Sequence, residues 1–308
     1  MINERFLKDL AEGCRILVLC ATALEAEPML AAMTEPRRVT VATKEVIAGR
    51  LKAGAAASNL DNNSDKLVLA ITGCDKTNTA HLLTCLLQAM DPLPGLVLQS
   101  GIAGALPFIE PSMSSSALPI ECASAASGGF SAPPKGANGA RPGDLVLATE
   151  EIYADTGSSS PEGWLSAEDL GLPMVEIAGT KFYNRFPLDA QLVKMAAKVL
   201  PEAVVGPFIT VSKVSGLWRE AEELAVRWGA VAESMEGAAA AHICALYEVP
   251  FLEVRGISNM VGDRDRSSWC LEEAVATAST AALALCRAFM STSGKGMRQK
   301  MHKDTCHD

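Results

Sequence analysis

The feature that most constrains this fold is a recurring unit: a short apolar run stops on a small polar residue or glycine, and a helical stretch follows. Arg15-Ile16-Leu17-Val18-Leu19-Cys20-Ala21 is the first such run, with helical character over 25–33 after it. Lys66-Leu67-Val68-Leu69-Ala70-Ile71 ends at Thr72-Gly73 and leads into a helix over 79–90, closed by Asp91-Pro92. Leu96-Val97-Leu98-Gln99 ends at Ser100-Gly101-Ile102-Ala103-Gly104, read as a glycine turn. Runs at 144–148, 206–211 and 251–257 read as further strands, and 235–247 and 271–290 as Ala-rich helices. Buried strands alternating with helices predict an α/β fold, a three-layer α/β/α single domain around a central mixed twisted sheet.

The domain is expected over 14–290. A Ser-, Ala-, Gly- and Pro-rich stretch at 108–142 reads as a surface insertion, 48–65 as a loose hairpin tip, and 291–308 as a flexible tail. With 49 % hydrophobic residues over 308 positions, the chain can bury a core and is not globally disordered. Its 27 Lys and Arg against 36 Asp and Glu give a net charge of −9, which argues against a nucleic-acid partner. No uninterrupted apolar run has membrane-span length, and Met1-Ile2-Asn3-Glu4-Arg5 lacks the basic head of a secretion signal. The expectation is a cytoplasmic protein with no membrane partner. Nine scattered cysteines, never spaced C-x-x-C, read as small hydrophobes. They do not cluster at ligand spacing with His81 or His242, and the group His302, Cys306, His307 in the polar tail reads as adventitious, so no metal is expected.

In open α/β sheets ligands collect beyond the carboxyl ends of the strands. There this chain puts Glu25, Thr72-Gly73, Gly101, Gly104 and Ser258-Asn259. Taken singly, each glycine can be only a tight turn. The phosphate fingerprints G-x-x-x-x-G-K-[ST] and G-x-G-x-x-G are absent, as is the nucleophile elbow G-x-S-x-G. The most informative stretch is Glu233-Ser234-Met235-Glu236-Gly237-Ala238-Ala239-Ala240-Ala241-His242. Glu236 at the mouth of an apolar helix can serve the helix dipole alone. Its counterpart is Arg255-Gly256-Ile257-Ser258-Asn259, a polar pair ending a buried strand.

Together these two segments resemble the nucleoside phosphorylase/nucleosidase superfamily, whose members carry a Met-Glu pair opening a helix and an Arg-x-Ile-Ser-Asp strand end. Ala21-Thr22-Ala23-Leu24-Glu25-Ala26-Glu27 resembles the family's glutamate-rich turn, and Thr72-Gly73 with Ser100 to Gly104 its two glycine turns. The resemblance runs from Ile16 to Ala288, outside the insertion. Leu24-Glu25-Ala26-Glu27, Tyr153-Ala154-Asp155-Thr156-Gly157 and the run from Ser258 to Trp269 narrow it to hydrolases of a 6-oxopurine nucleoside whose sugar bears a carboxylated arm.

The resemblance implies cleavage of an N-glycosidic bond through a ribosyl cation-like transition state, without cofactor or metal, on a small-molecule nucleoside, in a homodimer. It assigns Glu25 to activating water, with Glu27 as a rival base, and Glu236 to the ribose hydroxyls. Met235 would pack under the sugar and Asn259 would face the purine. Gly73, Ile102, Ala103, Gly104 and Val214 would line the pocket, Val214 standing where relatives stack a Phe on the base, with Trp218 nearby. Adenine-cleaving relatives have Asp at the place of Asn259. Hypoxanthine presents acceptors at O6 and N7, which a neutral carboxamide can meet with N–H donors, whereas a carboxylate would leave those acceptors unpaired. Phosphorylases carry an Arg at the place of Gln99 and a Ser at the place of Ile102, so water is the expected nucleophile. Arg264 or Arg266 would clamp the arm's carboxylate, with Lys213 and Arg219 as further candidates, although Asp263-Arg264-Asp265-Arg266 also reads as a solvated ion-paired turn. The alternatives are a methylthioadenosine/adenosylhomocysteine nucleosidase, a phosphate-dependent purine nucleoside phosphorylase, and a silent nucleoside-binding protein.

Overall fold

A computed structural model of the chain describes residues 14–52, 66–109 and 139–291. Most of the expected insertion (110–138), the end of the expected hairpin tip (53–65) and the tail beyond 291 lie outside the described residues.

Strand β1 (Ile16–Cys20) shows why the molecule has three layers. All five residues are buried, and the strand lies between parallel neighbours β4 (Lys66–Ile71) and β5 (Leu96–Ala105). Successive side chains point to opposite faces. Ile16, Val18 and Cys20 therefore join one core with α1 (Ala23–Ala31), α3 (Ala190–Val199) and α6 (Leu271–Ser291). Leu17 and Leu19 join the other, with α2 (Lys76–Ala89) and α5 (Gly237–Leu246). The α/β/α sandwich expected from the alternation is the observed one.

The hairpin β2 (Met33–Val41) and β3 (Lys44–Leu51) extends one end of the sheet through β4. Two left-handed residues turn it, Ala42 (φ 47°) and Thr43 (φ 67°). Two expectations are corrected here. Met33 opens a strand rather than ending a helix, because it pairs with Leu51. Residues 48–51 belong to β3, not to a loop, since Ala48 pairs with Val68 across β4.

At the other end the sheet curls on itself. Strand β14 (Phe251–Met260) pairs parallel with β5 and antiparallel with β6 (Leu145–Tyr153). From β6 the pairing continues through β12 (Val204–Thr210) and β13 (Ala232–Ser234) back to β5. These five strands close a ring around small and aromatic side chains, among them Ala103, Ala105, Ala148, Ala232 and Phe208. The ring explains another correction. Residues 100–104 are not a turn: they continue β5, which needs that length to reach both β14 and β13.

Outside the main sheet are two small hairpins, β7 (Gly157–Ser160) with β8 (Gly163–Ser166) and β9 (Val175–Ile177) with β10 (Thr180–Phe182). β11 (Arg185–Pro187) edges β6, and α4 (Trp218–Trp228) follows β12. Among the described residues α6 is the one helix long and apolar enough to cross a bilayer; half of its apolar window is buried inside the protein. Gly256 of β14 lets it approach, since a Cβ there would lie 2.0 Å from the Ala274 carbonyl oxygen.

Candidate active site

Glu25 is positioned by the start of α1. Thr22 and Glu25 form a capping box: the Glu25 N–H donates to Thr22 Oγ1 (3.3 Å), while Thr22 N–H and O–H donate to Glu25 Oε2 (2.8 and 2.9 Å). The other oxygen, Oε1, accepts the Ile102 N–H at 2.9 Å. That contact needs Gly101, where a Cβ would come within 2.3 Å of Glu25 Oε1 and 2.8 Å of Arg255 Nη1. So the glycine-rich stretch on β5 makes room for a carboxylate instead of turning the chain. Glu25 is buried and Glu27 is exposed.

Glu236 arrives from the opposite side, at the mouth of α5. It is buried; its Oε1 accepts the Asp75 N–H at 3.1 Å and its Oε2 an N–H of Arg255 Nη2 at 3.2 Å. Burial pushes its carboxyl above the usual range, while Arg255 and the Asp75 amide pull it back. Asp75 holds a backbone conformation (φ 81°, ψ 156°) that glycine adopts easily and aspartate does not. Its carboxylate accepts the Ser212 hydroxyl (2.8 Å) and the Lys76 N–H (2.6 Å), so three bonds hold the strained residue against Glu236.

Arg255 joins the two. It is 1 % exposed, donates from Nε to Glu253 Oε1 (2.7 Å) and from Nη1 to the Ile102 carbonyl (3.1 Å), and its Nη1 lies 3.9 Å from Glu25 Oε1. Burial works against its charge, but Glu253, Glu236 and Glu25 more than restore it. Below Arg255, Glu253 meets the fully buried Glu151. Both carboxyls crowd Gly237, where a Cβ would fall 2.3 Å from an oxygen of each. Burial, then the nearby charge of Glu253, push Glu151 well above the carboxylate range, against the pull of Arg255 and the Thr210 hydroxyl. Burial and its acidic neighbour therefore favour the neutral form of Glu151. Four buried acids around a single guanidinium could not all ionise at tolerable cost. The sequence reading missed this pair, though an acid inside an otherwise apolar strand, as in Phe251-Leu252-Glu253-Val254, was the signal for it.

At the other end of the site the central side chain, Asn259, is neutral. β14 carries a bulge between Ile257 and Asn259 relative to β5, which re-aims Asn259 at the strand end. The Ser258 hydroxyl donates to Asn259 Oδ1 (2.8 Å), and Asn259 Nδ2 donates to the Met260 carbonyl (2.8 Å). An amide nitrogen has two hydrogens, so one remains for a ligand. Ala103 and Gly104 lie beside it on β5, and a Cβ on Gly104 would approach Val261 to 2.8 Å and Asn259 Nδ2 to 3.7 Å. Val214 sits half-buried in a loop fastened at both ends. Ser212 N–H donates to Asp155 (2.7 Å), and Ser215 N–H and O–H donate to Glu233 (3.0 and 2.6 Å). Met235 is half-buried beside Glu236. Trp218 opens α4 and donates its ring N–H to Glu222 (2.8 Å). Gly73 (φ 81°) ends β4 with Lys44 Nζ packed against it. Arg264 is exposed over the Trp269 ring at 5.0 Å. Glu25, Glu236, Gly73, Ile102, Ala103, Gly104 and Asn259 thus gather at the carboxyl ends of β1, β4, β5 and β14 and the start of α5.

A family model described as the phosphorylase superfamily matches residues 124–292. Futalosine hydrolase of Thermus thermophilus is 40 % identical over 134 residues, 43 % of this chain and 56 % of that protein. Futalosine hydrolase of Streptomyces coelicolor is 39 % identical over 135 residues, 44 % of this chain and 53 % of that one. The chain spans about half the length of the curated relatives it matches. Among solved structures, the native futalosine hydrolase of Helicobacter pylori superposes with a TM-score of 0.65 at 17 % identity, over 90 % of this chain and 99 % of that one. The S-adenosylhomocysteine nucleosidase of Streptococcus pyogenes, in complex with 5-methylthiotubericidin, gives 0.64 at 19 % identity, over 89 % and 96 %. At such identities these structures speak to the fold, and it is the one described above.

Proposed function

The chain belongs to the phosphorylase superfamily, and from that premise we propose that it is a futalosine hydrolase: a nucleosidase that splits the N-glycosidic bond with water, releasing hypoxanthine and dehypoxanthine futalosine for menaquinone biosynthesis. The observation that carries this reading is the pairing of two unlike ends, a carboxylate-and-arginine cluster at Glu25 and Glu236 and a neutral carboxamide at Asn259. The names of the curated relatives support the same substrate.

The sugar lies over Glu25 and Glu236 with Met235 packed against it. As the bond to the base stretches, positive charge grows on the ribose, and fixed carboxylates stabilise it without reorganising. Glu25 takes a proton from water beneath the anomeric carbon, as a general base in a positioned carboxylate does. Glu236 accepts the ribose hydroxyls on lone pairs left free by Asp75 and Arg255. The free N–H of Asn259 donates to the 6-oxopurine edge as negative charge collects on the leaving base, and Val214, Ala103, Ile102 and Gly104 border the base. Gln99 supports water over phosphate, because this buried, neutral side chain offers no guanidinium to hold an anion. We extend the reading to a cytoplasmic homodimer. None of the seven described cysteines is paired, and Leu165, Leu170 and Leu172 expose apolar surface that a second copy would cover.

The test is incubation with futalosine, methylthioadenosine and inosine, with and without phosphate, followed by chromatography of the bases. Hypoxanthine from futalosine, independent of phosphate, is the expected result. A phosphate requirement, or dominant adenine release from methylthioadenosine, overturns it.

A further inference from the structure

A nucleoside seated as above has a third part, the arm on its sugar, and the site holds a cation not yet given a task. Lys44 follows the two left-handed residues that turn β2 into β3. Its side chain reaches back over the end of β4, where Nζ lies 2.6 Å and Cε 3.4 Å from the place of a Cβ on Gly73. A side chain at 73 would strain the backbone and push the ammonium aside. Among the described residues no carboxylate or hydrogen-bond acceptor partners Lys44. An unpaired ammonium in a half-buried position is a charge in want of a counter-ion.

Its place relative to the two ends is what gives it meaning. Cys74, next to Gly73, feels Glu236 and Glu25, which push its thiol up after burial does, and Arg255 and Lys44, which pull it down. Gly73 lies two residues before Asp75, whose N–H donates to Glu236, so Lys44 stands at the sugar end of the site, beyond Cys74. Arg264 stands at the base end: its Cγ lies 3.6 Å from where a Cβ on Gly216 would be, in the loop that carries Val214. With its base toward Asn259 and its ribose over Glu25 and Glu236, a nucleoside directs a sugar substituent past Cys74 and Gly73, away from Arg264. The other cations considered from the sequence are engaged elsewhere. Lys213 pairs with Glu220 (2.7 Å) and Arg219 with Glu223 (2.9 Å), while Arg264 and Arg266 lie over Trp269 at 5.0 and 5.8 Å.

We propose that Lys44 recognises a carboxylate at the end of the substrate's sugar arm, so that the β2–β3 hairpin sets specificity for an acidic nucleoside. The proposal rests on the reading of the reaction given above, in which the substrate carries a carboxylated benzoyl arm. A nucleoside with an uncharged arm gains nothing from the ammonium.

The experiment compares futalosine with its methyl ester on the wild-type protein, Lys44→Met and Lys44→Arg. The Met variant is expected to raise KM for futalosine roughly 10- to 100-fold, the loss of one charge-assisted hydrogen bond, with kcat little changed. It leaves KM for the ester unaltered, and Lys44→Arg restores most of the affinity for the acid. A Met variant whose KM for futalosine equals the wild-type value, or rises alike for acid and ester, overturns the proposal. Should the variants fail to fold, the wild-type protein decides alone: it must prefer acid to ester, and the preference must shrink with added salt. Equal KM for acid and ester then overturns it. If the wild-type protein releases no hypoxanthine from futalosine at all, the reading of the reaction has failed instead.

Discussion

The sugar end and the base end of this site are built on opposite plans. At the sugar end the central groups, Glu25, Glu236 and Arg255, are charged, buried, and bonded more than once. Glu25 accepts three hydrogen bonds besides its contact with Arg255, and Arg255 touches three acids and a carbonyl. At the base end the key side chain is neutral, and its partners Ser258 and Met260 adjoin it in its own strand. The backbone of the loop bearing Val214 is fastened at its ends, through the Ser212 and Ser215 N–H groups. The contrast has a physical sense. Charge develops on the sugar in the transition state, and a dipole or carboxylate stabilises it only if already in place. Discrimination between bases is a matter of which edge atoms find partners, and that can be altered without touching the core.

The largest effect should follow from Arg255→Met. Removing the guanidinium leaves Glu25, Glu236 and Glu253 buried without their common partner, a loss of about 3–5 kcal/mol in folding stability when a buried ion cluster is broken from one side. Urea unfolding measures it, and activity should vanish with it. A loss below about 1 kcal/mol, the scale of an exposed pair, would mean that the sugar end is not the rigid half.

Asn259→Asp is the matching test at the base end, with a smaller and different consequence. The side chain keeps its shape and its acceptor for Ser258 but gives up the bond to the Met260 carbonyl, so folding stability should fall by only about 1 kcal/mol. Replacing an N–H donor by an acceptor beside a 6-oxopurine should cost about 1–3 kcal/mol in transition-state binding, a roughly 10- to 100-fold drop in kcat/KM for futalosine. Relative activity on a 6-aminopurine nucleoside should rise. If Asp at 259 leaves the ratio of the two substrates unchanged, the amide does not face the base.

The same division explains what could be read from the sequence. The strand–helix alternation exposed the three layers, because period and punctuation are local properties. Glu25, Glu236 and Asn259 stood out because each ends a buried strand or opens an apolar helix, where a polar residue needs a reason. The glycines of 100–104 misled for a physical cause: a glycine that turns the chain and one that clears space for Glu25 look alike in one dimension. Glu151 and Lys44 escaped because their meaning depends on partners far along the chain. Glu151 meets Glu253 across the ring of strands, and Lys44 reaches Gly73 only once β3 has paired with β4.

The mildest of these changes removes a proton rather than a contact. In the folded protein Glu151 is pushed above its ordinary value, first by burial and then by Glu253. The native state therefore keeps a proton that the unfolded chain has released. The stability this proton confers is fully present below the unfolded value, near 4.5, and drains away as pH rises toward the folded one. Glu151→Gln carries a neutral amide of the same shape and cannot lose its donor. Denaturant midpoints for the two proteins should lie closest at about pH 5, and the variant should gain on the wild type as pH is raised to about 8. A difference between the proteins that stays constant over this range would show that the acid beneath Arg255 is ionised throughout. The sugar end would then owe its order to something other than a protonated support.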